Sequence, residues 1–392
     1  MRIAVIGGKL QGMEAVYLAK KAGWEILLID KREHPPARGL CDQFMKMDLL
    51  TDQFENQVFD GVDLIIPALE DALVLDRLKR LTFVTKTPVA FDLSAYLYSA
   101  SKIRSNRLFR QMGLLMPDPY PLCGFPRLIK PDQASGSSGV KIIHNETQWQ
   151  AEFPEGVIPD DMVVQQFLDG PSYSIEVIGT PGYYEALQVT DIHMDATYDC
   201  KRVCAPTMLS TDKVDEFKAV SIAIAEQIKL KGLMDVEVIL HDDRLYLLEI
   251  DARLPSQTPI VVYHSIGINM LKILAQCFLE KDLPRSRPHT RDEKGTILEH
   301  IAVDQNSLCV TGEGALSQAM DLKLIPVFFG ADEALTNYRE GRNHWVATLI
   351  FNGNDFTHAW SRRNAAMAAI QKHFHLNLYK DPSPAFSQGE SP

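Results

Sequence analysis

The sequence predicts a mixed architecture, with an α/β start built on a parallel sheet and α+β regions behind it. Three observations carry this. Residues 2–7 form an apolar run, Gly7-Gly8-Lys9-Leu10-Gln11-Gly12 makes a tight turn into a helix over about 12–22, and Glu25–Asp30 is a second apolar run. That is a βαβ start, which implies parallel strands and a right-handed crossover. The stretch 232–259 reads as a hairpin of two apolar strands carrying Glu237, Glu249, Asp251 and Arg253. Residues 296–379 mix short strands with a helix near 361–374 and form a small third unit. A length of 392 residues suits two or three domains.

In the first unit, Gly23 ends the helix, and Asp30 stands where a dinucleotide enzyme would hold a ribose. The glycine pattern is Gly-Gly-x-x-x-Gly, which departs from the dinucleotide fingerprint, so an NAD-dependent oxidoreductase is a secondary reading. Val62–Pro67 is a further strand. Glu70 and Asp71 follow it, where ligands bind beyond parallel strands. They either hold a substrate ammonium group or start the next helix, where acids favour the dipole.

Ser94–Met112 has a helical pattern that Gly113 stops. Pro117, Pro119, Pro121 and Pro126 carry an extended connection. Leu128–Lys130 is a strand, Pro131–Gly139 a Gly/Ser loop rich in backbone N–H groups, and Val140–His144 another strand. Two strands lie within 162–178. A helix over about 212–231 repeats Val220, Ile224 and Ile228 every four positions. Residues 284–294 are a polar connector, and the tail from 381 is expected to be disordered.

In the hairpin, alternate residues share a face, so Glu249, Asp251 and Arg253 point the same way. With a turn at Asp242-Asp243-Arg244, residues whose numbers sum to 486 face each other, which sets Glu237 beside Glu249. Val236, Val238, Leu240, Tyr246, Leu248 and Ile250 are expected on one face. Ile239, Leu245 and Leu247 are expected with the acids. Converging carboxylates repel unless cations neutralise them. Oxygen-only ligands favour Mg²⁺ or Mn²⁺. Arg253 points to an anion beside the metal.

Apolar content of 46% and charged content of 23% are ordinary for a soluble protein. No apolar run is long enough to span a membrane. Met1 leads directly into a strand, so no targeting peptide is expected. The six dispersed cysteines read as reduced thiols of a cytoplasmic protein. Cys200-x₃-Cys204 with His193 is a weak metal signal. A net charge of −11 argues against a general nucleic-acid binder. The expected partners are small molecules, with no nucleic acid and no membrane.

A lysine at a helix start, a lysine before a Gly/Ser loop, a polar strand pair and a Glu-x-Asp-x-Arg hairpin occur here in that order. The order resembles the ATP-grasp ligases, from about residue 1 to 285. The resemblance implies an ATP-grasp fold with an amino-terminal Rossmann-like βαβ domain over 1–93. A nucleotide-binding and catalytic region would span 94–284, with a flap subdomain at about 120–180, and a small carboxyl-terminal α+β domain would follow over 285–380. It implies ATP and two Mg²⁺ ions as cofactors.

Carried over residue by residue, Lys102 looks like the first phosphate lysine and Lys130 the second. Ser135, Gly136, Ser137, Ser138 and Gly139 match the flap. Gln165, Gln166 and Leu168 match the segment around the adenine, with Gln165 in place of the usual acid. Glu176 falls near the ribose or phosphates. Glu237, Glu249 and Asp251 match the metal-bridging acids, Asp251 standing where many members have Asn. Arg253 matches the arginine that holds the reacting carboxylate, so Arg253, Glu249 and Lys130 form the catalytic set.

More narrowly, residues 6–23 and Glu249–Pro259 resemble the ligases of pyrrolysine biosynthesis. This implies an amide bond between 3-methyl-D-ornithine and the side-chain amine of L-lysine. Lys9, Leu10, Gln11, Glu70, Asp71, Arg253, Ser256 and Thr258 are the substrate candidates. Dimerisation is frequent among relatives, which makes a homodimer the assembly to test. Another ATP-grasp ligase or carboxylase with a different acid and amine would use the same catalytic residues. A non-catalytic nucleotide-binding regulator would bind ATP yet lose little when Arg253 is changed.

Overall fold

The computed structural model describes residues 1–51, 56–133, 136, 139–279 and 293–384, apart from the side chains of 56–57 and 82–84. The first unit holds β1 (Arg2–Ile6), α1 (Leu10–Lys21), β2 (Glu25–Asp30), β3 (Gln43–Lys46), β4 (Leu64–Pro67) and α2 (Ala72–Thr85). Its sheet has the order β3-β2-β1-β4 and is parallel throughout. Strands β1, β2 and β4 are near-continuous apolar runs because both faces are covered, whereas β3 is the half-exposed edge. Their carboxyl ends present the glycine turn after Ile6, Asp30, and the Leu69-Glu70-Asp71 segment along one edge. At Gly7, φ is +97° and a β-carbon would lie 2.6 Å from the Ala68 carbonyl oxygen, so only glycine fits.

Next come α3 (Leu93–Ser99), α4 (Lys102–Gln111), β5 (Arg127–Pro131), β6 (Lys141–Ile143), α5 (Glu146–Glu152) and β7 (Met162–Gln166). The expected single helix over 94–112 is therefore two. Ser101 leaves helical geometry and accepts from the Arg104 N–H as an N-cap, and this break sets Lys102 at the first position of α4. Strands β6-β5-β7 form a small antiparallel sheet with Trp149 of α5 and Phe153 just after it packed on it.

The central region continues with β8 (Ser172–Thr180), β9 (Tyr183–Met194), β10 (Cys200–Ala205), α6 (Thr211–Ile228), β11 (Gly232–His241), β12 (Arg244–Asp251), α7 (Thr258–Ile266) and α8 (Met270–Phe278). The last unit is β13 (Gly295–Val303), β14 (Ser307–Val310), α9 (Gly314–Ser317), β15 (Lys323–Phe328), β16 (Ala331–Thr336), β17 (Trp345–Gly353), α10 (Phe356–Phe374) and β18 (Leu378–Lys380). Its strands extend the central sheet, because β10 pairs with β13; the path is β12-β11-β8-β9-β10-β13-β17-β16-β15. No single helix among the described residues is long and apolar enough to cross a membrane.

The tail is not free at its start. Asp381 pairs with Lys201 at 2.7 Å and Arg202 at 2.7 Å, and Lys201 also donates to Pro382 O and Ser383 Oγ. Arg202 and Arg363 share the fully buried Glu299, and Tyr379 accepts from Arg363. The expectation of disorder from 381 thus fails through Pro384, because the tail neutralises two buried cations that no local sequence signal marks. The remainder, 385–392, lies outside the described residues.

Deleting 381–392 should strip Lys201 of its carboxylate partner and destabilise the fold by on the order of 2 kcal/mol or more. Deleting only 385–392 should leave thermal unfolding unchanged. Equal melting temperatures for the two truncations would show that the anchor carries no stability.

Candidate functional site

The hairpin β11–β12 builds one wall of the site. Its turn is Asp242-Asp243, both at positive φ, the two-residue geometry that matches strand twist. Pairing runs His241↔Arg244 to Val238↔Leu247, then shifts to Glu237↔Glu249, Val236↔Ile250 and Asp235↔Asp251. The turn is one residue shorter than expected, and a β-bulge at Leu248 restores the register that sums to 486. The faces change accordingly. Leu245 and Leu247 join Val236, Val238 and Ile250 in the core, so the expectation that they lie with the acids fails. Tyr246 and Leu248 are correspondingly absent from that core. The bulge also turns the Leu248 carbonyl toward Lys130, whose ammonium donates to it at 3.4 Å.

Strand β8 pairs with β11 so that Glu176 faces Asp235 and Ser174 faces Glu237. Glu176, Asp235, Glu237, Glu249 and Asp251 therefore share one face. Asp235 carries no family motif, and only its place opposite Asp251 marks it; Ser174 donates a short hydrogen bond to it. Burial pushes Asp235 and Glu237 well above the usual carboxylate range, and neighbouring carboxylates add to it. Burial raises Glu176 to about 7 and Asp251 to about 7, although Arg253 draws Asp251 back. Burial works against the charge of Glu249 too, yet Lys102 and Lys130 hold it below its ordinary value. Both carboxylate oxygens of Glu176 are buried without a close hydrogen-bond partner, the Thr258 hydroxyl standing near enough only to draw its pKa down a little.

Three cations answer these acids. Lys102 Nζ lies 3.3 Å from Glu249 Oε2. Lys130 is buried on β5, and that burial lowers its ammonium's pKa against the pull of Glu249. Arg253 pairs with Asp251 at 2.8 Å and Glu70 at 2.7 Å. Buried Asp132 fixes the two lysines relative to each other. It accepts from Ser101 Oγ and the Ile103 N–H at the start of α4, while following β5 directly. The acids are thus turned toward protein cations. Among the described residues no three Asp, Glu, His or Cys groups are drawn together closely enough to hold a metal ion.

On β7 and just beyond it, Gln165 is buried with Oε1 unpaired, the Gln166 N–H donates to the Asp118 carbonyl, and Leu168 is buried. Gly136 and Gly139 are described, whereas Ser135, Ser137 and Ser138 lie outside the described residues.

On the other side of Arg253 a cavity of about 580 Å³ opens against the first unit. Lys9, Leu10, Gln11, Glu70, Asp71, Arg253 and Ser256 line it, as does Gly136. Thr258 does not. It is buried at the start of α7 with its hydroxyl unpaired. Asp71 takes the helix-starting role, accepting from the Leu73 and Val74 N–H groups. Glu70 accepts from Gln11 and pairs with Arg253, so its charge is already matched. Asp30 accepts from the Gly8 and Arg32 N–H groups, one on each oxygen. It braces the glycine turn, which removes the ribose-binding reading behind the oxidoreductase alternative.

Glu14 and Glu313, two residues without a local sequence signal, organise the segment after Arg253. Glu14, 1% exposed on α1, accepts from the Gln257 and Ile260 N–H groups at 3.1 and 2.7 Å. Gln257 sits at φ +74°, and Glu313 accepts from Gln257 Nε2 at 2.6 Å and Ser256 Oγ at 3.0 Å.

The sequence profile described as ATP-grasp domain matches residues 100–257. The 3-methyl-D-ornithine–L-lysine ligase of Methanosarcina mazei is 34% identical over 380 residues, covering 95% of this chain and 96% of that protein. The chain belongs to this family of ATP-grasp ligases. The Methanosarcina barkeri ligase of the same name is 32% identical, with 95% and 98% covered. Among solved structures, the L-amino acid ligase from Bacillus licheniformis superposes with a TM-score of 0.69 at 14% identity, over 94% of this chain and 97% of that one. The biotin carboxylase domain dimer of the Hydrogenobacter thermophilus 2-oxoglutarate carboxylase, solved with MgADP, gives 0.70 at 14% identity, over 94% and 89%. The fold is the ATP-grasp fold, and the protein is an ATP-dependent ligase.

Burial pushes Glu14 from 4.5 up to about 8, against the two N–H groups it accepts from. The folded chain then binds this proton more tightly than the unfolded one. That contribution to stability is complete below about 4.5 and is lost as pH rises through about 8. Glu14→Gln should flatten the fall in stability across this window, read by chemical denaturation at several pH values. An unchanged slope would refute the buried-proton assignment.

Proposed function

We propose that this ligase joins 3-methyl-D-ornithine, through its carboxyl group, to the side-chain amine of L-lysine in pyrrolysine biosynthesis. The observation that carries this reading is the arrangement around Arg253. One of its sides faces the acids and phosphate lysines, and the other faces a cavity with room for an amino acid. The activity named for the Methanosarcina relatives supports the substrate pair.

In this reading Lys102 and Lys130 hold the ATP phosphates, and the Gln165–Leu168 segment borders the adenine. The loop Ser135 to Gly139 would act as the flap over the phosphates. The donors are oxygen-only, the chemistry that suits a hard divalent cation, and their carboxylates would have to draw together around it. Glu237, Glu249 and Asp251 would hold Mg²⁺, two ions in all, with Mn²⁺ as a substitute. When bound, the metal neutralises charge that develops on the phosphoryl oxygens.

Arg253 orients the substrate carboxylate in line with the γ-phosphate. The carboxylate oxygen attacks phosphorus and ADP leaves, giving an acyl phosphate. The lysine amine then attacks the carbonyl carbon, phosphate leaves, and an amide forms. Placing the acid on Arg253 lowers the entropic part of the barrier, and the flap would keep water from the acyl phosphate. A cytoplasmic setting, small-molecule partners and a homodimer complete the proposal.

ADP release with ATP, Mg²⁺ and D-ornithine as a stand-in acid, with and without L-lysine, tests it. The expected product has the mass of ornithyl-lysine; ADP release without that mass would send the search to other acid and amine pairs. Glu249→Gln should abolish Mg²⁺-dependent turnover in a folded protein, and near-normal turnover would remove Glu249 from the metal site. Arg253→Ala should cost on the order of 10² or more in rate. An effect confined to ATP affinity would refute its carboxylate role.

A further inference from the structure

The cavity beside Arg253 has a fourth wall, and it comes from the carboxyl-terminal unit. Asp199, Glu313, Gly314 and Ser317 line it. The turn Gly312-Glu313-Gly314 is pinned on the 195–200 turn from three directions. The Gly312 N–H donates to Asp195 at 3.1 Å, the Glu313 N–H to the Cys200 carbonyl at 3.0 Å, and the Gly314 N–H to Asp199 at 2.9 Å. Gly312 leaves no room for a side chain, since a β-carbon there would lie 2.2 Å from Asp199 Oδ2. Glu313 therefore projects from a rigid mount.

Its two oxygens differ. Oε2 accepts both Ser256 Oγ and Gln257 Nε2. Oε1 accepts no hydrogen bond among the described residues. It points toward Gly136, where a β-carbon would stand 3.8 Å away. One fixed carboxylate oxygen thus faces the cavity, with Arg253 on the same lining. Of the other acids there, Glu70 is already neutralised by Arg253, and Asp30, Asp48, Asp71 and Asp199 accept backbone N–H groups of their own turns and helices, so Glu313 is the lining acid held only by neutral side chains. An amino acid whose carboxylate is held by Arg253 carries its positive charge into this cavity. An ammonium group is a donor that meets an anionic acceptor in a charge-assisted hydrogen bond.

We infer that Glu313 is a specificity residue, accepting through Oε1 an ammonium group of the diamino acid whose carboxylate Arg253 holds. The inference rests on the ligase reading given above and assigns one of its substrate contacts. Glu313 acts on substrate choice, and its neighbour from the phosphate loop in that reading is Gly136, which has no side chain to carry an effect to ATP.

The test is calorimetric binding to the full chain with MgADP present. Three ligands are compared: D-ornithine, D-norvaline, which lacks the side-chain amine, and 5-aminopentanoate, which lacks the α-amine. For the wild-type protein, D-ornithine should bind best. Glu313→Gln should weaken D-ornithine on the order of ten-fold or more. It should leave unchanged the binding of whichever analogue lacks the ammonium group that Glu313 accepts, and MgADP affinity should not move. Equal weakening of all three ligands would reduce Glu313 to a brace for Ser256 and Gln257 and overturn the inference, as would unchanged D-ornithine binding. If the wild-type protein binds none of the three but binds MgADP, the substrate reading itself fails.

Discussion

The interaction on which this structure depends is the repulsion among five carboxylates on one face of β8, β11 and β12. Glu176, Asp235, Glu237, Glu249 and Asp251 stand on adjacent strands, opposite or two residues apart. A sheet face normally buries apolar groups. Here the opposite face does so, with Val236, Val238 and Ile250 supplying the hydrophobic stabilisation that lets the acidic face exist. The protein meets the repulsion with cations from three separate places: the start of α4, the end of β5, and the loop after β12. Removing any one leaves a half-buried charge without its partner, which is costlier than losing a surface pair.

Small backbone devices make those meetings possible. The bulge at Leu248 re-phases β12 so that Glu249 and Asp251 face Glu237 and Asp235. The same bulge gives Lys130 a carbonyl to donate to. Asp132 couples β5 to α4 with hydrogen bonds at a helix start, where an acid is favoured by the exposed N–H groups and the dipole. Two lysines about 30 residues apart in sequence are thereby set on one carboxylate, Glu249.

What the sequence made legible follows from how far each signal reaches. The Glu-x-Asp-x-Arg spacing on a strand is a local pattern, so Glu249, Asp251 and Arg253 could be placed on one face by periodicity alone. The sequence sets Glu237 opposite Glu249 with a turn one residue too long, because the compensating bulge leaves no mark in composition. The break before Lys102 rested on a single capping serine inside an otherwise helical pattern. Asp235 reads from sequence as one more acid in an apolar strand until its pairing with both Glu176 and Asp251 is known. Glu14 sits amid an apolar helix and Glu313 between two glycines, over 240 and 50 residues from the Gln257 they hold. Their meaning is tertiary, and periodicity cannot supply it.

Those two residues explain how three units act on one loop. Gln257 is a non-glycine residue held at positive φ, a conformation that persists only where its surroundings over-determine it. Glu14 fixes its N–H from the first unit, and Glu313 fixes its side chain from the last. The segment 253–257 is therefore positioned by α1, by the 312–314 turn and by β12 together. Arg253 and Ser256 lie on that segment and face the cavity. The cavity at Arg253 is thus set by the relative placement of all three units and extends beyond residues 100–257, where the ATP-grasp profile ends. The acidic face is written largely in the hairpin and its lysines. The cavity is assembled from contacts across the whole chain.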